Sequence, residues 1–295
     1  MSTNILFDAP GPRGRLRNNI LTLLSVVILA SAAYYVYARF DAKGQWEGEI
    51  WKPFLDVSTW TEYIIPGLLG TLKAAGISAV CALVFGAIFG LARLSDHRWV
   101  RGVAGAVVET FRAIPLLLLI FFLFFLAPSV FGGGDYTLIA LVAGLTLYNG
   151  SVLAEIVRAG VRAVPSGQAE AAQAIGLRKS QVMRLVLLPQ AVTAMMPAIV
   201  SQLVVLLKDT ALGYIIAYVD LLNMGFKLIP AVHFGSLIPA AIVIGVIYVG
   251  LNMSLSTLAT WLERRTRRSN RTSAAPIAPP GAVGEPETSG AGTLL

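Results

Sequence analysis

Long apolar runs separated by short polar stretches follow one another along the 295-residue chain. A helix needs about 20 apolar residues to cross about 30 Å of hydrocarbon. Six stretches approach or exceed that length: Ile20–Ala38, Ile64–Leu91, Ala104–Leu126, Leu138–Val161, Val182–Leu207 and Ser236–Leu258. The pattern therefore predicts an all-α integral membrane protein with about six transmembrane helices.

The basic residues fall mainly on one side of the predicted spans. Sixteen of the 23 lie there: Arg13, Arg15, Arg17, Arg93, Arg98, Arg101, Arg158, Arg162, Arg178, Lys179, Arg184, Arg264, Arg265, Arg267, Arg268 and Arg271. The segment 39–63, on the opposite side, carries five acidic residues: Asp41, Glu47, Glu49, Asp56 and Glu62. Because cytoplasmic loops are enriched in Lys and Arg, we expect both termini to be cytoplasmic.

The composition agrees with a membrane protein, since 56% of the residues are hydrophobic, 13% are charged and the mean hydropathy is +0.72. The net charge of +7 does not indicate nucleic acid, because no basic face interleaved with aromatic residues is present. The single Cys81 excludes an intrachain disulfide. With only His97 and His233 beside it, the sequence contains no metal-binding constellation.

These boundaries predict five segments: 1–19, a cytoplasmic segment; 20–38, an N-terminal transmembrane helix; 39–63, an extracytoplasmic segment; 64–262, a core of five transmembrane helices; and 263–295, a disordered cytoplasmic tail. The triplet Ala30-Ser31-Ala32 after an apolar run also fits a cleaved signal peptide. The run continues through Tyr37, which is long for a signal peptide and favours an uncleaved span. The mass of the mature chain would decide between the two.

A short helix is predicted in the longest cytoplasmic loop, between the fourth and fifth spans. Pro165 and Ser166 suit a helix start, through a fixed backbone angle and a hydroxyl that can bond free amides. The stretch Gln168–Ile175 consists of strong helix formers, and Gly176 is a suitable end. Taken alone, this alanine-rich segment fits an ordinary surface connector.

The spacing within this loop resembles a family signature. Glu170-Ala171-Ala172, three residues, Gly176, nine residues and then Val186-Leu187-Leu188-Pro189 are similar to the EAA---G---------I-x-LP motif of type I ABC importer permeases. Val186 in place of Ile is the one departure. Other stretches resemble the polar amino acid branch of that family: Gly67–Leu72, Glu109–Leu117 and Leu207–Leu212, the last with Ala211 where Ser is more frequent. The N-terminal Phe7–Arg13 resembles actinobacterial glutamate-uptake permeases.

The resemblance implies a type I permease fold in which residues 165–177 form a coupling helix that docks on an ATP-binding cassette subunit. It further implies that Glu170 contacts this ATPase, that Ala171 and Ala172 permit close docking and that Gly176 turns the chain. The implied partners are the ATPase subunits, a second permease subunit (a paralogue or a second copy), an extracytoplasmic solute-binding protein and an amino acid. The implied location is the bacterial cell membrane.

The chain itself carries no ATPase motif. The nearest approach to a phosphate-binding loop, Gly176-Leu177-Arg178-Lys179-Ser180, lacks the Gly that precedes the Lys. We therefore expect no enzymatic activity and no cofactor bound by this chain, with ATP hydrolysed by a separate subunit.

Ionisable residues at membrane depth are candidates for a substrate path, because each costs about 2.5–3.5 kcal/mol on insertion scales. Lys73 either lies near the midplane, where it attracts an acidic substrate, or snorkels outward. Lys208 and Asp209 close the fifth span and either form a local ion pair at its outer boundary or, with Thr210 in the same family stretch, line the substrate path. Glu109 and Arg112 are three residues apart and are expected to pair. Glu155 and Arg158 repeat that spacing and are assigned no transport role.

Two other classes of function compete with an ABC permease. A secondary, ion-coupled amino acid transporter needs no ATPase, but the halves of this chain show no internal repeat of the kind such folds carry. An intramembrane enzyme needs a nucleophile and a base at matched depth, and no such pair is evident. Polar amino acids, with glutamate or related acidic ones foremost, are the substrates that the resemblance favours.

Overall fold

The computed structural model describes residues 11–233 and 237–271, and within these ranges the chain consists of helices joined by short loops, without a strand. The longer helices are α1 (Pro12–Asp41), α2 (Ile65–Ala92), α3 (Arg98–Ala113), α4 (Leu116–Phe131), α5 (Thr137–Arg162), α6 (Ser166–Ala174), α7 (Leu188–Asp209) and α8 (Leu237–Arg271). Shorter turns connect them at Gly48–Trp51, Lys52–Leu55, Val57–Thr59, Trp60–Ile64, Lys179–Gln181, Val182–Leu187, Thr210–Ile216, Leu221–Asn223, Met224–Leu228 and Ile229–Val232. The predicted all-α class is confirmed.

Five helical stretches of the described residues are long and apolar enough to cross a membrane: Pro12–Asp41, Val57–Ala92, Thr137–Arg162, Lys179–Ile216 and Leu237–Leu258. A sixth crossing exists only if α3 and α4, which meet at an angle of 100°, are counted together. The stretch predicted as one span over Ala104–Leu126 is therefore broken. Pro115 cannot donate the next helical hydrogen bond, and Ile114 before it takes the extended backbone that a proline imposes.

The described residues divide into two compact units. The first unit takes residues 11–78, 115–145, 207–233 and 237–251. It holds two apolar clusters, one formed by Ala74, Ile120, Ala140, Leu141, Leu145, Ile216 and Tyr218, the other by Phe54, Ile64, Leu221, Ile229, Ala240 and Ile244. Because lipid is as apolar as these side chains, close van der Waals packing between the helices, rather than removal from water, is what the clusters contribute within the membrane.

The second unit takes residues 79–114, 146–206 and 252–271. Within it, α2 and α5 approach closely, because small residues of α2 face α5. A β-carbon added at Gly86 would lie 2.6 Å from the Leu153 β-carbon, and one at Gly90 would lie 2.8 Å from the Ala154 carbonyl oxygen. The small-residue stripe of α2 therefore serves packing inside the chain.

Both ends of the described chain are more helical than the sequence predicts. Helix α1 begins at Pro12, where a proline suits the first helical turn, and none of its residues is buried. Helix α8 continues to Arg271, so residues 263–271, predicted as the start of a disordered tail, are helical. The rest of that predicted tail, 272–295, and residues 1–10 lie outside the described residues.

Candidate coupling site

Helix α6 begins where the sequence predicts a helix start. Pro165 holds an extended backbone just before Ser166, the first helical residue. The Ser166 hydroxyl, expected to bond the free amides, makes no capping hydrogen bond, and instead the Gln168 N–H donates to the Pro165 carbonyl at 3.0 Å. The proline geometry, rather than a side-chain cap, therefore defines the start of α6.

The end of α6 is a left-handed glycine turn. Gly176 has φ +88°, a region that a residue with a β-carbon enters only with strain. The Gly176 N–H donates to the Gln173 carbonyl at 2.9 Å, and the Leu177 N–H donates to the Ala172 carbonyl at 3.2 Å. This pair of bonds is a Schellman motif, and it confirms Gly176 as the residue that stops the helix.

The residues of α6 and of its C-terminal end differ in exposure. Glu170, Ala171, Ala174 and Ile175 are exposed, and Glu170 has no hydrogen-bond or ion-pair partner among the described residues. Ala172 is buried, and α6 packs against the turn Val182–Leu187. A close approach of another protein to α6 is therefore open on the side of Ala171, whereas Ala172 faces the chain's own interior.

The segment that follows α6 is tied to the loop between α2 and α3. Lys179 forms an exposed ion pair with Asp96, and the hydrogen bond from Lys179 lowers the pKa of the Asp96 carboxyl. The Arg178 N–H donates to the Gln181 side-chain oxygen at 2.9 Å, which begins the short helix Lys179–Gln181. The segment after α6 is thus held by one contact to the loop between α2 and α3 and by one contact within the segment itself.

A network of charged side chains joins α2, α3 and α5 near their predicted cytoplasmic ends. Arg93, just after α2, donates to Glu109 and to Glu155, each at 2.9 Å. Arg158 pairs with Glu155, and the Arg112 guanidinium lies 3.8 Å from the same carboxylate. The predicted pair of Glu109 with Arg112 on one helix is wrong, because Glu109 pairs with Arg93 in the loop after α2 and Arg112 lies near Glu155 on α5.

The candidate path residues lie in the first unit in different environments. Lys73 on α2 and Lys208 at the end of α7 are exposed, and Asp209 is half-buried. Thr210 is buried, its hydroxyl donates to the Leu207 carbonyl at 2.7 Å, and it lies 3.4 Å from the Tyr248 hydroxyl. These bonds make Thr210 part of the packing between its turn and the helix that carries Tyr248, whereas the side chains of Lys73 and Lys208 are exposed.

One polar group that sequence analysis missed lies in the segment after the turn Thr210–Ile216. The Tyr218 hydroxyl donates to the Gly70 carbonyl at 3.0 Å, and the Leu221 N–H donates to the Thr71 hydroxyl oxygen at 3.1 Å. Asp220 between them is buried and accepts from the Asn223 N–H at 2.7 Å. The small residues Gly70 and Thr71 at the start of α2 were the available signal.

A second missed pair bridges α5 and α7 within the second unit. The Gln202 amide donates to the Asn149 side-chain oxygen at 2.7 Å, and Asn149 is fully buried. Both amides lie inside apolar runs, where an interhelical hydrogen bond satisfies groups that lipid cannot. Polar residues inside a predicted span were the signal that pointed to this contact.

Comparison with known proteins points to one family of transport proteins. Residues 82–268 match the family described as binding-protein-dependent transport system inner membrane component. The chain is 44% identical over 229 residues, 77% of this chain and 83% of the relative, to the glutamate transport system permease protein GluD of Corynebacterium glutamicum. It is 31% identical to the glutamate/aspartate import permease protein GltK of Escherichia coli, over 69% of this chain and 93% of the relative.

Two solved structures of ABC transporters contain a chain with a similar fold. An amino acid ABC transporter crystallised with histidines contains a chain that superposes with a TM-score of 0.64 at 30% identity, covering 72% of this chain and 98% of that one. A chain of the MetNI methionine ABC transporter in an inward-facing conformation gives a TM-score of 0.59 at 19% identity, covering 70% and 97%. The second likeness concerns the fold alone.

Proposed function

Because this chain belongs to the family of inner membrane components of binding-protein-dependent transport systems and is a permease of the amino acid ABC type, we propose that its substrate is glutamate or a related acidic amino acid. The 44% identity to a glutamate permease over 77% of the chain carries this choice. The exposed Lys73 and Lys208 offer positive charge to such a substrate. The path that we propose also includes Asp209, which is next to Lys208, and Thr210. The hydrogen bonds of Thr210 hold the turn Thr210–Ile216 in position.

The proposed assembly contains two ATP-binding cassette subunits, a second permease subunit and an extracytoplasmic solute-binding protein in a bacterial cell membrane. We propose that both termini are cytoplasmic, because the arginine-rich stretches of the sequence fall on one side of the predicted spans, the side that also carries the loop containing α6. ATP is bound and hydrolysed by the cassette subunits, and this chain supplies the path and the docking helix.

In the proposed mechanism α6 transmits movement from the ATPase to the membrane helices. The exposed Glu170 contacts the ATPase, and Ala171 lets the backbone of α6 approach it closely. Ala172 packs α6 onto Val182–Leu187, which continues directly into α7. The turn at Gly176 keeps that connection short, so displacement of α6 moves α7.

The experiment compares two exposed positions on the same short helix. We expect Glu170→Ala to reduce ATP-dependent uptake at least roughly tenfold, because a charged partner of the ATPase is lost. Gln173→Ala, one turn away and exposed, serves as the matched control and should retain uptake. Gly176→Ala should lower uptake through the strained turn. Normal membrane insertion combined with full uptake in Glu170→Ala would contradict the coupling role.

A further inference from the structure

A cleft of about 430 Å³ opens among α2, α3 and α5 in the second unit. Its walls carry four arginines and one carboxylate, and α3 contributes three small residues to it. The lining residues are Arg93, Arg101, Gly102, Gly105, Ala106, Glu109, Arg158 and Arg162. The small residues Gly102, Gly105 and Ala106 on the α3 wall leave room between the arginines for a ligand of the size of a phosphate with a small polar group.

The charge of this cleft is positive after all ion pairs are formed. Arg93 and Arg158 are engaged by Glu109 and Glu155. Arg101 donates to the Ser95 carbonyl at 3.0 Å, and its charge acts on Asp96, whose carboxylate is paired with Lys179. Neither Arg101 nor Arg162 forms an ion pair of its own with a carboxylate among the described residues. Their guanidinium groups therefore remain able to bind an anion, and guanidinium matches the geometry of phosphate oxygens well.

Apolar residues are exposed beside the cleft on the same helix. Trp99 is 87% exposed, and Val100 and Val103 are also exposed. Trp99 and Val103 are four residues apart and lie on one face of α3. A helix with arginines on one face and Trp with Val on another is typical of helices at the boundary between headgroups and acyl chains.

We propose that this cleft binds the phosphate of an anionic phospholipid headgroup, with Arg101 and Arg162 as its principal ligands. The lipid's acyl chains then lie along Trp99 and Val103. A free amino acid has no acyl chains that could cover these apolar residues. The surface of another protein fits a narrow concave cleft less well than a single lipid headgroup does. Basic pockets at the cytoplasmic ends of membrane helices bind acidic lipids on the same physical grounds.

The binding test uses the full-length chain purified with its partner subunits, delipidated in detergent and mixed with phosphatidylglycerol or phosphatidylcholine of identical acyl chains. Native mass spectrometry measures how much of each lipid is retained. The wild-type protein should retain phosphatidylglycerol preferentially. The double variant Arg101→Gln with Arg162→Gln should lose this preference, by roughly fivefold for each arginine, while phosphatidylcholine retention stays unchanged.

Two further variants make the result specific. Arg98→Gln, exposed on α3 but outside the cleft, should retain the preference. The single variant Arg162→Gln should lose part of it, and it keeps the test usable if the double variant fails to fold. Equal retention of both lipids, an equal loss in Arg98→Gln, or displacement of phosphatidylglycerol by excess glutamate but not by glycerol phosphate would each overturn the proposal. Failure of glutamate uptake leaves it unaffected, because it requires only that the chain lies in a membrane.

Discussion

The two compact units satisfy their polar groups in different ways. In the second unit the charged side chains pair with one another, as Arg93 does with Glu109 and Glu155. In the first unit several buried polar side chains bond to the backbone instead, as the Tyr218 hydroxyl does to the Gly70 carbonyl and the Thr210 hydroxyl to the Leu207 carbonyl. Ion pairs tolerate small displacements and partial hydration, whereas backbone contacts require exact fit. The first unit should therefore be sensitive to added volume, and the second to lost charge.

The largest effect is expected at Gly70 in the first unit. A β-carbon there would lie 2.1 Å from the Val219 carbonyl oxygen, so Gly70→Ala forces the segment after the turn Thr210–Ile216 to move. We expect the free energy of unfolding to fall by about 3 kcal/mol. Gly76→Ala on the same helix meets no atom within 4 Å and should stabilise by about 1 kcal/mol. Thermal unfolding in detergent measures both, and similar effects at the two positions would contradict the packing argument.

The next effect concerns the buried carboxyl of the first unit. Asp220 is 1% exposed, and its Oδ2 has no hydrogen-bond partner among the described residues. Burial raises the pKa of Asp220 to about 6, against 3.8 as its ordinary value, despite a lowering influence of Lys227. A raised pKa means that this group favours the folded state below about pH 4 and that this contribution is lost as the pH rises through 6.

Asp220→Asn keeps a residue that caps the helix Leu221–Asn223 but removes the charge. The variant should match the wild type near pH 4 and exceed its free energy of unfolding by about 2–3 kcal/mol at neutral pH. Thermal unfolding across this pH range provides the measurement. A difference between variant and wild type that does not change with pH would show that the carboxyl is not destabilised by its charge.

A smaller effect should separate the two glutamates that bind Arg93 in the second unit. The Arg93 side chain is 12% exposed, Glu155 is 26% exposed and Glu109 is 70% exposed. Glu155→Gln leaves Arg93 and Arg158 without their shared carboxylate and should cost about 2 kcal/mol of unfolding free energy. Glu109→Gln removes only an exposed partner and should cost about 0–1 kcal/mol. Equal losses of unfolding free energy in the two variants would indicate that the contribution of each glutamate does not depend on how deeply it is buried.

Local sequence carried enough information for α6 but not for the contacts between helices. Pro165 and Gly176 act within one or two turns, so the bounds of α6 could be predicted closely. The partners of Glu109 and Arg112 could not, because spacing on one helix does not reveal which other helix comes near. Pro115 was visible in the sequence as a residue that can interrupt a helix, but the apolar run on both sides of it favoured one continuous span. Asp220 was missed because its burial arises from contacts with α2, far away in the sequence.

ATP-driven uptake tests the central claim most directly. Proteoliposomes containing this permease with its ATPase and second permease subunit receive labelled glutamate and the solute-binding protein outside, with ATP either enclosed or omitted. Ion gradients are imposed in a parallel set without ATP. We predict glutamate accumulation only with enclosed ATP and with the binding protein present. Accumulation driven by a sodium or proton gradient alone, without the ATPase, would contradict the account.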